Sequence, residues 1–145
     1  MATTQIFVNL PVKNLARSVE FFTQLGYKFD PQFTDENATC MIVSDSIYVM
    51  LVLEKFFQTF TRKPICDATK NTEVLLCLSC CESRAEVDEQ VRKAVAAGGT
   101  SPREPEDHGF MYGHGFEDLD GHSWELLYWE LIDLQPGADQ ASPKK

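Results

Sequence analysis

The chain has 145 residues, 43% hydrophobic and 24% charged, with a formal net charge of −9. That length suits one domain with its own core, and no apolar run approaches the roughly 18 residues of a membrane span. The acidic balance and the lack of any Lys/Arg-rich run exclude a grip on a phosphate backbone, so neither nucleic acid nor a membrane is an expected partner.

Residues 1–7 carry no basic and apolar leader, and Cys40, Cys66, Cys77, Cys80 and Cys81 make an odd set. Together these predict a cytoplasmic setting with free thiols. Residues 6–12 read as a strand. Asn14 then caps a helix whose apolar face is Leu15, Val19, Phe22 and Leu25, and Gly26 stops it. A short β segment at 27–29 precedes two β-rich runs, 39–43 and 47–53, parted by the turn residues Ser44, Asp45 and Ser46. Residues 54–71 turn aromatic and polar and suit a connection with about one helical turn.

The second half repeats the order. Residues 74–79 read as a strand, and Ser83 with Glu86 forms a capping box opening a helix with Val87, Val91, Ala94 and Val95 inward. After Gly98 and Gly99 come strands near 100–102, 109–117 and 122–129, the last two joined by the turn residues Asp118, Leu119, Asp120 and Gly121. The fold class is therefore α+β, two βαβββ modules at 5–54 and 72–131 joined by a linker at 55–71, in one domain over 1–131. The polar stretch at 132–145 reads as a flexible tail. Superposing the halves sets Phe7 against Leu75 and Asn9 against Cys77.

Two segments carry a resemblance. Residues 10–27 (LPVKNLARSVEFFTQLGY) and 116–127 (FEDLDGHSWELL) resemble the strand-to-helix junction of module one and the hairpin of module two in the vicinal oxygen chelate superfamily, the group of glyoxalases, bleomycin resistance proteins and extradiol dioxygenases. The resemblance implies that the modules curl a mixed sheet around an open cleft. Four strands there would present ligands to a divalent ion acting as a Lewis acid. It also implies a homodimer, since such sheets expose apolar edges. Carried over residue by residue, the ligand positions fall on Phe7, within Val49 to Leu51, on Leu75 and on Glu125. Only Glu125 is a hard oxygen donor, so no cofactor is expected beyond, at most, a weakly held divalent metal.

The turn at 118–121 is expected to set His114 opposite Glu125, either as a general acid–base pair or as a hydrogen-bonded structural pair. His122 is read as a solvated hairpin residue and His108 as exposed loop. Cys77 and Cys80 are formally a C-x-x-C pair but lack a second pair at zinc-site spacing. Phe7, Asn9, Met50, Leu75, Cys77, Tyr112, Phe116 and Leu127 are the expected lining of a small-molecule cleft, with Trp129 completing its aromatic set. The function expected is small-molecule binding without a tightly bound metal. The alternative is a metal-assisted lyase, isomerase or dioxygenase of the lactoylglutathione lyase type, acting on oxygenated or thiol-conjugated substrates, with Glu125 as base and His114 as partner.

Overall fold

The structure is a computed structural model that describes residues 1–130; residue 131 and the tail expected at 132–145 lie outside the described residues. In the first half, β1 (Ile6–Val12), α1 (Leu15–Gln24), β2 (Lys28–Asp30), β3 (Ala38–Ile42) and β4 (Ile47–Leu53) build a four-stranded sheet in the order β1-β4-β3-β2. The second half, β5 (Leu75–Ser79), α3 (Arg84–Ala96), β6 (Glu106–Asp107), β7 (Met111–Glu117) and β8 (Ser123–Trp129), gives the order β5-β8-β7-β6. The linker holds a one-turn helix, α2 (Glu54–Phe57), and a 3-10 turn.

Local signals act as their chemistry dictates. The Asn14 side chain accepts from Arg17 N at 3.1 Å, satisfying one of the open donors of the first turn of α1. Gly26 takes the left-handed φ of 102° just past the end of that helix. Ser83 accepts from Glu86 N, and Glu86 reaches back to Glu82 N at 2.7 Å. The strand expected near 100–102 is instead a single bridge, Thr100 to Glu117, and the edge strand β6 forms further on. Pro102 cannot donate to a ladder, which cuts pairing short there.

Helices α1 and α3 pack against the sheets. Phe21 and Phe22 from α1, Val87, Val91 and Ala94 from α3, and Phe116, Trp124 and Leu126 from the second sheet belong to one buried cluster with Leu10, Val49 and Leu51 of the first. The Phe22 ring stands 5.3 Å from Trp124 and Phe21 stands 6.1 Å from Phe116. The modules therefore share one core. Burying each such ring contributes on the order of 2 kcal/mol.

Polar bonds fasten the halves as well. Asp120 accepts from Lys13 N at 2.9 Å, and His122 Nε2 donates to the Pro11 carbonyl at 2.7 Å. His122 is thus buried, at 8% exposure, and not the solvated hairpin residue expected. Beside it Asp118 accepts from Asp120 N, His122 N and Trp124 Nε1 at 2.9 to 3.0 Å. Burial pushes the Asp118 carboxyl up, against the pull of His122.

Candidate functional site

Strand alternation divides β8 into two faces. Trp124 and Leu126 enter the shared core, while Ser123, Glu125 and Leu127 face the other way beside Leu75, Cys77 and Ser79 of β5, their register partners. Glu125 pairs with Cys77 on one side and with Gly115 on the other. Its carboxylate lies flat across β7: a Cβ on Gly113 would stand 2.9 Å from Oε2, and one on Gly115 would stand 2.7 Å from Oε1. Only glycine leaves room for it there.

A cavity of about 380 Å³ opens over this carboxylate. Leu75, Cys77, Ser123 and Glu125 form its floor, and the segment carrying Pro102, Arg103, Glu104 and Glu106 rises at its side. Burial is the main cause holding the Glu125 carboxyl above its usual range. Arg103 pulls it down, Glu106 pushes it up and His114 pulls it down, and no hydrogen bond contributes. Burial likewise raises the Cys77 thiol, with Glu125 and Cys80 adding to the effect.

His114 is not the neighbour of Glu125 that the turn implied. It pairs with Leu126 and so faces α3. The chain from Asp118 to His122 forms the whole connection, closed by Asp118 N donating to His122 O at 3.0 Å, one residue more than a turn at 118–121 supplies. A one-residue slip moves every side chain to the opposite face. Tyr112 and Phe116 shift with it. Tyr112 donates to Asp88 at 2.7 Å and lies away from the cavity, whereas Phe116, its ring stacked with Trp124, remains among the residues that line it.

His114 has another task. Nε2 stands 3.2 Å from both the Arg103 carbonyl and Ser101 Oγ, and Ser101 itself donates to the Gly115 carbonyl. A carbonyl only accepts, so Nε2 carries the proton. His114 thereby pins the segment bearing Arg103 from behind, while Nδ1 lies buried without a hydrogen-bond partner among the described residues, 3.6 Å from Asp88.

Leu75, Cys77 and Glu125 are thus brought together, and Leu127 adjoins them across Gly113. Phe7, Asn9 and Met50 are not at this cavity; they share a face of the first sheet, with Phe7 stacked 4.7 Å from Tyr48. Asn9 borders a second cavity of about 420 Å³, between β1 and the linker. Arg103, Glu104, Glu106 and the two glycines were missed by sequence reasoning. The exposed charges sit in a loop without pattern, whereas Gly113-His114-Gly115 inside a strand was a usable sign of close approach.

The bleomycin resistance protein-like N-terminal family matches residues 4–44. A search of the curated proteins finds no match. Among solved structures, a hypothetical protein from S. aureus is 30% identical, with 88% of this chain and 94% of that one covered, at a TM-score of 0.75. A glyoxalase-related enzyme from Fulvimarina pelagi is 20% identical over 86% and 87%, at a TM-score of 0.72. A bleomycin resistance determinant encoded on transposon Tn5 is 20% identical over 88% and 98%, at 0.60. The chain has the fold of the glyoxalase and bleomycin resistance structures it is similar to.

The metal implied by the resemblance to the vicinal oxygen chelate superfamily can be tested against the donors present. Met50 stands to Asn9 as Glu125 stands to Cys77, each the parallel-strand partner of equivalent residues, so the two sheets bring Phe7, Met50, Leu75 and Glu125 to matching positions. Phe7 and Leu75 have no donor atom and Met50 offers only a thioether. Among the described residues no group of three His, Cys, Asp or Glu side chains converges. The residues do not fit a hard divalent ion, which needs several oxygen or nitrogen ligands at short range.

Proposed function

We propose that this protein binds a small cationic molecule over Glu125 without a resident metal. The observation that carries this reading is the Glu125 carboxylate itself, laid on a glycine floor, without a hydrogen-bond partner among the described residues and half-sunk in a cavity of about 380 Å³. Small-molecule sites commonly pair an apolar wall with a few polar anchors. Among the described residues Glu104, Glu106, Glu117 and Glu125 border the cavity against the single cation Arg103. A positive group entering there gains Coulomb attraction and relieves the desolvated carboxylate.

No residue of the first module lines this cavity. We infer that a second copy of the chain supplies the missing wall with its Phe7, Asn9 and Met50 face, Phe7 and Leu75 being 46% and 70% exposed in the isolated chain.

Benzamidinium and benzoate, matched in size and opposite in charge, test the reading. At ten times its dissociation constant a ligand stabilises by about 1.4 kcal/mol, a rise in melting temperature of about 4 °C for a chain of this size. Benzamidinium is expected to give that rise, benzoate none, and Glu125→Gln to cancel it with or without a chelator present. Equal response to both probes, or an unchanged response in Glu125→Gln, overturns the reading. A response lost on chelation and restored by a divalent ion returns the metal-assisted lyase or isomerase reading. That reading has one observation in its favour, the raised Glu125 carboxyl suited to a base.

A further inference from the structure

β1 is the outer strand of its sheet and bonds to β4 on one side only. Ile6 N donates to Ser46 O at 2.9 Å, which fixes the phase of this parallel pair: Ile6, Val8, Leu10 and Val12 turn their main-chain groups toward β4, and Phe7, Asn9 and Pro11 turn theirs outward. Pro11 falls in the outward set, where its missing N–H costs no ladder bond. The outward carbonyls on either side of Asn9 are taken. Asn9 Nδ2 donates to the Phe7 carbonyl at 3.3 Å, and His122 Nε2 donates to the Pro11 carbonyl at 2.7 Å. Between them the main-chain N–H and C=O of Asn9 have no hydrogen-bond partner among the described residues.

That pair faces the cavity of about 420 Å³ between β1 and the linker, a volume suited to a small molecule. Val8, Asn9, Leu10 and Pro11 all border it. Side chains alternate between faces, so four consecutive residues can meet one cavity only along the open edge of the strand. Phe57, Ile65 and Val74 add apolar wall, and among the described residues the bordering Lys, Arg, Asp and Glu side chains are one of each sign, Lys63 and Glu73. This balance suits a neutral ligand, unlike the acidic border over Glu125. An N–H and a C=O aimed the same way are matched by a ligand with an acceptor and a donor on one edge. An open-chain secondary amide is trans and sets these groups on opposite sides, whereas a small ring holds them on the same side. An extended peptide can match Asn9 with one residue, but its next groups would meet Pro11, which has no N–H and whose carbonyl is occupied.

We propose that the open edge of β1 at Asn9 is a binding site for small neutral cyclic amides, lactams and cyclic imides, held by the Asn9 main-chain N–H and C=O with their hydrocarbon part against Ile65 and Val74. The site does not rest on the cation reading at Glu125. The Asn9 main-chain groups lie in the plane of the sheet, apart from the face inferred to meet a second copy, and the ligand is uncharged.

The probes are 3,4-dihydroquinolin-2-one, its 1-methyl derivative, which has lost the donor, and acetanilide, an open-chain amide of similar size. Each is titrated into the isotope-labelled full chain and followed by backbone amide chemical shifts. Dihydroquinolinone is expected to move the Asn9 amide proton downfield and saturably, with the amides of Ile65 and Val74 following and those of Cys77 and Glu125 unmoved. The methyl derivative and acetanilide should bind at least about tenfold more weakly, because each leaves a buried group at Asn9 unpaired. Asn9→Pro removes the same donor at an outward position, as Pro11 already does, and should weaken dihydroquinolinone binding by at least about tenfold. The probe series on the unaltered chain does not depend on that variant folding. No saturable shift at Asn9 up to millimolar probe, equal affinity of the methyl derivative, or shifts centred on Cys77 and Glu125 overturns the proposal. Tighter binding of the blocked peptide acetyl-Ala-Val-Ala-amide than of dihydroquinolinone also overturns it, since the edge would then dock a peptide strand.

Discussion

Gly113 and Gly115 lie two apart beneath the same carboxylate, yet adding one methyl group to each should give different results. At Gly113 the new Cβ would meet Glu125 Oε2 and Leu127 Cδ2, both at 2.9 Å and both at the ends of flexible side chains, with the nearest backbone oxygen 3.7 Å away. Its φ lies outside the left-handed region, so alanine incurs no backbone strain and gains about 0.4 to 1 kcal/mol by restricting the unfolded chain. Side-chain adjustment offsets much of that gain, and Gly113→Ala should melt within about 3 °C of the unaltered protein. At Gly115 the Cβ would stand 2.6 Å from the Trp124 carbonyl, a strand backbone that cannot swing aside. Overpacking of this kind costs about 1 to 3 kcal/mol, or roughly 3 to 10 °C. Both variants lift Glu125 off its floor and should weaken benzamidinium binding, Gly113→Ala with little loss of stability. Differential scanning calorimetry with a binding titration reads both effects. A Gly115→Ala protein as stable as the original would refute the packing argument. A folded Gly113→Ala protein with unaltered affinity would refute the anchoring role of Glu125.

Asp118→Ala leaves three backbone and indole donors without an acceptor, two of them buried; at about 1 to 3 kcal/mol for each buried one, a loss of about 3 to 5 kcal/mol is expected by chemical denaturation. Asp118→Asn, which keeps one oxygen, should lose less than half as much, and equal losses would show that charge rather than acceptor geometry matters. For Glu125 the folded carboxyl is raised above its unfolded value, chiefly by burial. Its stabilising contribution is then present below about pH 4.3 and is lost as pH rises through the folded value. Glu125→Gln should therefore melt above the unaltered protein at pH 7 and converge with it by pH 4; a constant gap would remove burial as the cause. Light scattering at micromolar concentration should return twice the chain mass, and Leu75→Glu should reduce it; a monomer in the unaltered protein would leave the second wall of the site without a source.

The sequence by itself determined what depends on neighbours along the chain. Asn14, Gly26, Ser83 and Glu86 bound their helices, and the period-two runs became strands, because caps and alternation act over three or four residues. The pairing of the two modules was legible for the same reason, since each half repeats one local order. Glu125 beside Leu75 and Cys77 was legible because β5 and β8 are equivalent to β1 and β4. Tertiary structure decided which face His114, Tyr112 and Phe116 took, because that rests on whether His122 belongs to the hairpin connection or to the strand. His122 settles in the connection because its imidazole finds the Pro11 carbonyl, 111 residues away. No local pattern encodes that bond, and the one-residue difference it enforces is enough to carry His114 from the cavity to the back of the sheet.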